Sequence, residues 1–193
     1  MAGDTGMTER RKQAADAAAV VNLANIVTFL RLCAVPLAFW LVVQRRTGYA
    51  FTLFVLAGLS DALDGWLARR HGGNAIGALM DPVADKALLV TMYITLAVVD
   101  VLPDWLAILV VFRDLLIVGG IGVLAVVGHA VAIRPLYVSK LNTVMQILLV
   151  ATCLLQSGFG IGIPGLTDLL VWCVAGTTLA SGAAYVWTTA RNL

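Results

Sequence analysis

Four aspartates, Asp61, Asp64, Asp81 and Asp85, fall within 25 residues of a chain that is strongly apolar on either side of them. A charged side chain at membrane depth costs between about 2.5 kcal/mol and several times that, so four together require compensation. Divalent metal suits their chemistry. Asp61 and Asp64 are spaced i,i+3 and Asp81 and Asp85 are spaced i,i+4, which puts each pair on one face of its own helix. Two such faces opposed across a short turn make an all-oxygen cage, and hard oxygen ligands favour Mg2+ or Mn2+ over zinc. Two ions roughly 4 Å apart can orient a phosphate and neutralise the charge that develops during in-line displacement. Gly65 and Ala68 share the face of the first pair and leave room for a ligand or for close helix packing.

Intramembrane acids also serve ion pathways and proton relays, so spacing alone leaves phosphoryl chemistry and a membrane transporter as alternatives. Two features weigh against transport. The chain has no matching halves, and its polar residues gather toward one end of the spans rather than at the midplane.

The elements that must position these residues follow from composition. Of 193 residues, 61% are hydrophobic and 12% charged, and the mean hydropathy is +0.94, outside the balance of a soluble domain. Cys33, Cys153 and Cys173 lie in apolar runs without CxxC spacing, which argues for packing residues rather than disulfides or zinc. The expected fold class is an all-α integral membrane protein of six transmembrane helices, preceded by a short amphipathic surface helix at 8–20. The spans are predicted at 22–43, 49–69, 78–99, 104–127, 138–157 and 166–188, making 1–20 an N-terminal interfacial segment and 21–193 one transmembrane domain. Breaks at Gln44–Gly48, Arg70–Asn74, Asp100–Asp104, Gly128–Pro135 and Gly158–Pro164 carry the turn chemistry. Trp105, Trp172, Trp187, Tyr49 and Tyr185 are candidate interface anchors. The N-terminus reads as neither a removable signal nor a transit peptide, given Asp4, Glu9 and Asp16.

Lys and Arg set the orientation. With the N-terminus inside, eight cations (Arg10, Arg11, Lys12, Arg69, Arg70, Arg134, Lys140 and Arg191) are cytoplasmic against Arg45 and Arg46 outside. The expected location is a bacterial cytoplasmic membrane, with the carboxylates toward the cytoplasm. Arg31, Lys86 and Arg113 fall inside helices and each needs an acid partner or an anionic ligand. Arg31, Arg113, Arg134 and Lys140 could form a basic pocket for an acceptor phosphate, with Arg113 oriented by Asp114. A structural ion pair is the competing explanation for Arg113 and Asp114, and a headgroup contact that for Arg134.

The run D-x2-D-G-x2-A-R-x7-G-x3-D-x3-D, from Asp61 through Asp64, Gly65, Ala68, Arg69, Gly77 and Asp81 to Asp85, resembles the signature of the CDP-alcohol phosphotransferases. The expected helix count is also similar to that family's catalytic core. The resemblance implies that Asp61, Asp64, Asp81 and Asp85 bind two divalent ions holding the pyrophosphate of a CDP-linked lipid. It implies that Asp85 is also the base that deprotonates the acceptor hydroxyl. Gly65, Ala68 and Gly77 would leave space for cytidine and Arg69 would hold the nucleotide, while Asn25 and Thr28, in the N-x2-T-x2-R run ending at Arg31, resemble the first helix's contribution to the same pocket. Phe112-Arg113-Asp114, the stretch Tyr137 to Thr143 with Gln146, and Trp172, Cys173, Thr177 and Thr178 look most like the cardiolipin-forming branch. That likeness implies CDP-diacylglycerol and phosphatidylglycerol as substrates, with glycerol 3-phosphate as the alternative acceptor. Members are commonly homodimers, and Gly176, Ala180, Gly182 and Ala183 offer a small-residue face for such packing.

Overall fold

A computed structural model describes residues 27–71, 75–126 and 137–191, with side chains described for 27–60, 84–119 and 137–187. The expected surface helix at 8–20 and the break at Gly128–Pro135 lie outside the described residues. Every regular element among the described residues is an α-helix: α1 (Val27–Val43), α2 (Thr47–His71), α3 (Ala75–Val98), α4 (Asp104–Val126), α5 (Tyr137–Phe159) and α6 (Leu166–Arg191). Tyr137–Phe159 and Leu166–Trp187 are long and apolar enough to cross a membrane.

Helix starts follow the local chemistry. Pro103 precedes α4, which opens on Asp104, and α6 carries Asp168 in its first turn, where a carboxylate complements the helix dipole. The ends are less conventional. At the end of α1, the Arg46 N–H bonds the Leu41 carbonyl and the Arg45 N–H bonds the Val42 carbonyl, each at 2.9 Å. The Val101 and Asp100 N–H groups treat the Leu96 and Ala97 carbonyls of α3 in the same way. This Schellman pattern needs a left-handed residue, usually glycine. Arg45 (φ 57°) and Asp100 (φ 60°) adopt that conformation instead. The Arg45 guanidinium also donates to the carbonyl of Val99 at 3.0 Å, satisfying an acceptor that the end of α3 would otherwise leave open.

The chain divides into two compact units, one of residues 1–38 and 52–88, the other of 39–51 and 89–193. In the second unit α6 packs against both α5 and α4. Tyr93, Met92, Leu96, Leu106, Val110, Leu149, Leu154 and Val174 are fully enclosed. The large side chains on the outside are equally apolar: Ile108, Phe112, Leu115, Leu169 and Trp172 are all at least 60% exposed. Inside lie Arg113, Asp114, Asn142, Gln146, Thr178 and Ser181. Apolar residues outward with polar ones gathered within is the arrangement a lipid solvent favours, because lipid offers no hydrogen bonds to the polar groups.

One helix contact in this unit depends on glycine. A Cβ at Gly158 of α5 would lie 2.5 Å from the nitrogen and 2.6 Å from the Cα of Gly48, backbone atoms that cannot swing aside. A Cβ at Gly48 would meet nothing closer than the Phe159 ring at 3.4 Å. Gly158→Ala is therefore expected to destabilise by about 1–3 kcal/mol, lowering the thermal unfolding midpoint in detergent, whereas Gly48→Ala leaves it nearly unchanged. Equal midpoints for both variants would contradict the close approach.

Candidate active site

The first helix turns its polar residues inward. Thr28 and Arg31, one turn apart, are each 3% exposed, while Phe29, Leu30 and Leu32 between and beside them face outward. Arg31 Nη1 lies 3.1 Å from Asp85 Oδ1, joining α1 to α3 in the first unit. The Arg31 side chain is 2% exposed and that of Asp85 is 44% exposed. A buried cation thus holds a carboxylate that remains open to a ligand. Arg31, expected among the acceptor-phosphate cations, is engaged with the carboxylate expected to be the base.

Asp61, Asp64, Gly65, Ala68 and Arg69 all fall within α2, and Gly77 and Asp81 within α3. The helical register that the i,i+3 and i,i+4 spacings require is therefore present in the backbone. The side chains of 61–83 lie outside the described residues, as do Asn25 and Arg134 entirely. Among the described residues no group of three or more metal-ligating side chains converges. The part of the expected metal set that is described, Asp85, suits a hard divalent ion: an anionic oxygen donor, half-exposed, whose position is fixed by a charged neighbour.

A second polar assembly lies in the other unit, where α4, α5 and α6 meet. The Arg113 guanidinium, on a residue 4% exposed, donates from Nη1 to Asp114 Oδ1 at 2.9 Å. Its Nη2 donates to Ser139 Oγ of α5 at 2.7 Å and also to Ser181 Oγ of α6. One turn further along α5, Asn142 is fully buried and its Oδ1 accepts from Thr177 and Thr178 of α6, each at 2.9 Å. Thr177 has one proton and two further acceptors in reach, the Cys173 carbonyl at 2.8 Å and the Val174 carbonyl at 3.2 Å. Thr178 is thus the more dependable donor to Asn142. Another turn on, Gln146 is fully buried, and its backbone carbonyl accepts from the Tyr93 hydroxyl at 3.4 Å. Ser139, Asn142 and Gln146 recur at helical spacing and form a continuous polar seam.

The seam differs from expectation in several places. Lys140, proposed beside Arg113, is exposed and adjacent in sequence to Ser139, which puts it on a different face of α5. Ser181 was not anticipated as a partner of Arg113. Its signal is the polar stripe Thr177/Thr178, Ser181, Tyr185 at three- and four-residue intervals in an apolar helix. Gly182 does not share the outer face of Gly176, Ala180 and Ala183: a Cβ there would lie 3.9 Å from Arg113 Cγ. Tyr185, expected as an interface anchor, buries its hydroxyl, whereas Trp172, Trp187 and Tyr49 are exposed. Cys33 is exposed rather than packed. An open cavity of about 420 Å³ lies at the loops joining α3 to α4 and α5 to α6, lined by Asp100, Asp104, Thr167, Asp168 and Trp172 among others.

Comparison with known proteins decides between the alternatives that spacing left open. Residues 21–180 match the sequence profile of the CDP-alcohol phosphatidyltransferases. The chain belongs to this family. It is 38% identical over 186 residues to the chloroplastic CDP-diacylglycerol–glycerol-3-phosphate 3-phosphatidyltransferase 1 of Oryza sativa subsp. japonica, covering 86% of this chain and 56% of the relative. It is 31% identical to the cardiolipin synthase (CMP-forming) of Streptomyces coelicolor, over 86% of this chain and 82% of that one. With the rat cardiolipin synthase (CMP-forming) it shares 29% identity, over 85% of this chain and 60% of the relative. The chain spans about three-fifths of the rice and rat proteins. The family assignment favours phosphatidyl transfer over the transporter alternative.

The Asn142 contacts yield a stability test. Thr178→Val preserves shape and removes the donor to a buried carbonyl oxygen, so a loss of about 1–3 kcal/mol is expected. Thr177→Val should cost less, because Thr177 divides its proton among three acceptors. Combining Thr178→Val with Asn142→Leu should recover part of the loss, since removing both partners leaves no orphan. A thermal unfolding series in detergent that ranks the two threonines the other way would contradict this arrangement.

Proposed function

We propose that this protein is a cardiolipin synthase of the CMP-forming kind, transferring a phosphatidyl group from CDP-diacylglycerol to phosphatidylglycerol within a six-span membrane domain. The observation that carries the catalytic part is the half-exposed Asp85 carboxylate held by the buried Arg31. Asp61, Asp64, Asp81 and Asp85 would hold two divalent ions, Mg2+ or Mn2+, and such ions supply charge neutralisation at the pyrophosphate and a lowered pKa for the attacking alcohol. Asn25, Thr28, Gly65, Ala68, Arg69 and Gly77 line the nucleotide side in this reading.

The chain's own groups account for the proton and for placement. Asp85 accepts the proton of the acceptor's free glycerol hydroxyl, and the alkoxide oxygen forms a bond to the β-phosphorus. The bond from that phosphorus to the bridging oxygen breaks, and CMP departs with the electron pair. Arg31 keeps the Asp85 carboxylate in one orientation, so the base meets the hydroxyl without a rotamer search. Arg113 is the candidate for the acceptor phosphate; Lys140 lies exposed on another face of α5 and is not counted with it. Net charge favours phosphatidylglycerol. Its phosphate is a diester carrying one negative charge, while glycerol 3-phosphate carries nearly two. The Arg113 cation is already offset by Asp114, and its other described partners are neutral hydroxyls. A monoanion fits such a site better than a dianion. The rice relative, whose name specifies glycerol 3-phosphate, makes phosphatidylglycerophosphate synthesis the second reading. The inward-polar, outward-apolar packing supports a multi-pass membrane location, and the distribution of Lys and Arg supports a cytoplasmic site in a bacterial inner membrane. Gly176, Ala180 and Ala183, exposed on α6 at helical spacing, are where a homodimer would pack.

The deciding assay offers CDP-diacylglycerol and Mg2+ or Mn2+ with phosphatidylglycerol or glycerol 3-phosphate in parallel. Cardiolipin and CMP are expected from the first; phosphatidylglycerophosphate as the main product would instead establish the second reading. Chelation should stop CMP release and added Mg2+ or Mn2+ should restore it.

Asp85→Asn should abolish turnover without loss of expression, and wild-type rates would remove Asp85 as base. Arg31→Met should lower kcat/KM by about ten- to a hundredfold, the kinetic equivalent of about 1.4–2.7 kcal/mol of lost positioning by the ion pair, and Arg31→Lys by less. Unaltered kinetics in Arg31→Met would show that the ion pair does not serve the reaction.

A further inference from the structure

The reading of Arg113 as the acceptor-phosphate group leaves unexplained how a flexible side chain presents one geometry to a ligand. A guanidinium has five N–H donors in a rigid plane. Three are engaged, one by Asp114 and two by Ser139 and Ser181. Asp114 belongs to the same helix and moves with Arg113. The two serines belong to α5 and α6, so they fix the plane relative to the rest of the bundle. The Nε–H is buried and has no hydrogen-bond partner among the described residues. An unpaired buried donor on a charged group is costly to leave unmet and attracts an anionic oxygen. Beside the aliphatic stem α6 carries Gly182, half-buried, so no side chain from that position crowds the guanidinium.

We propose that Ser139 and Ser181 are positioning residues that lock the Arg113 guanidinium so that its Nε–H meets the phosphate of the acceptor. The inference rests on the preceding reading of Arg113. The Asn142 contacts to Thr177 and Thr178 serve the same end, holding α5 and α6 in register one turn from the serines.

The test uses the full chain in mixed micelles containing CDP-diacylglycerol, with phosphatidylglycerol in one arm and glycerol 3-phosphate in the other. Ser139→Ala and Ser181→Ala each remove one oxygen atom. Each should raise the KM of the acceptor used by about five- to tenfold, the size of one lost hydrogen bond to a charged group. The KM for CDP-diacylglycerol should stay within about twofold, and kcat should fall little. The thermal unfolding midpoint should fall modestly, because a buried guanidinium N–H loses its acceptor, and Ser139→Thr, which keeps the hydroxyl at a half-buried position, should retain the wild-type midpoint and KM. An unchanged acceptor KM, a parallel rise in both KM values, or a fall in kcat that tracks a lower unfolding midpoint would overturn the proposal. Arg113→Lys separates the two levels of inference. If its acceptor KM is unchanged, the phosphate role of Arg113 fails and the positioning role with it. If its KM rises while the serine variants behave as wild type, the positioning role alone fails.

Discussion

A guanidinium enclosed in an apolar helix bundle must find its partners inside the protein, and this requirement organises both polar assemblies of the chain. Arg31 meets it with Asp85, and Arg113 meets it with Asp114, Ser139 and Ser181. Each solution draws on more than one helix. The helices are consequently tied by directional bonds at chosen levels, while the surrounding leucines, valines and isoleucines supply contact without direction. In lipid, where apolar side chains gain little by meeting one another rather than acyl chains, such directional ties and close backbone contacts set which helix faces which. The Gly158 approach to Gly48 is the second kind of tie, and the Arg45 cap on the Val99 carbonyl a third.

Much of the frame was legible in the sequence because its signals are local. The breaks at Asp100–Asp104 and Gly158–Pro164 placed the starts of α4 and α6 at the residues observed. The acid partner of Arg113 was legible for the same reason, since Asp114 is its neighbour. The Arg31 to Asp85 pair was not, because nothing in the spacing of residues 54 apart states a distance. Ser181 was hidden in another way. Serine is common in membrane helices, and whether it faces lipid or a guanidinium depends on a rotation of α6 that composition leaves free. The turns at Arg45 and Asp100 were located correctly at their breaks, but their left-handed conformation carried no glycine to announce it.

The two assemblies, each within its own unit, differ in chemistry. One holds a carboxylate that is accessible and anionic, suited to metal and proton. The other holds a cation whose charge is largely offset, suited to recognising a weakly charged phosphate rather than to driving a reaction. The first includes Asp85 of the aspartate run, within the residues that match the family profile. The second lies outside that run, on α4, α5 and α6.

The order in which Arg113 acquires its partners follows the order of synthesis. Asp114 arrives with the same helix, Ser139 with α5 and Ser181 with α6. A chain inserted as far as α5 holds a guanidinium one acceptor short, in surroundings that penalise the shortfall. Docking of α6 adds the Ser181 acceptor, so the demand of a buried cation, rather than apolar contact, selects the face that this helix turns inward.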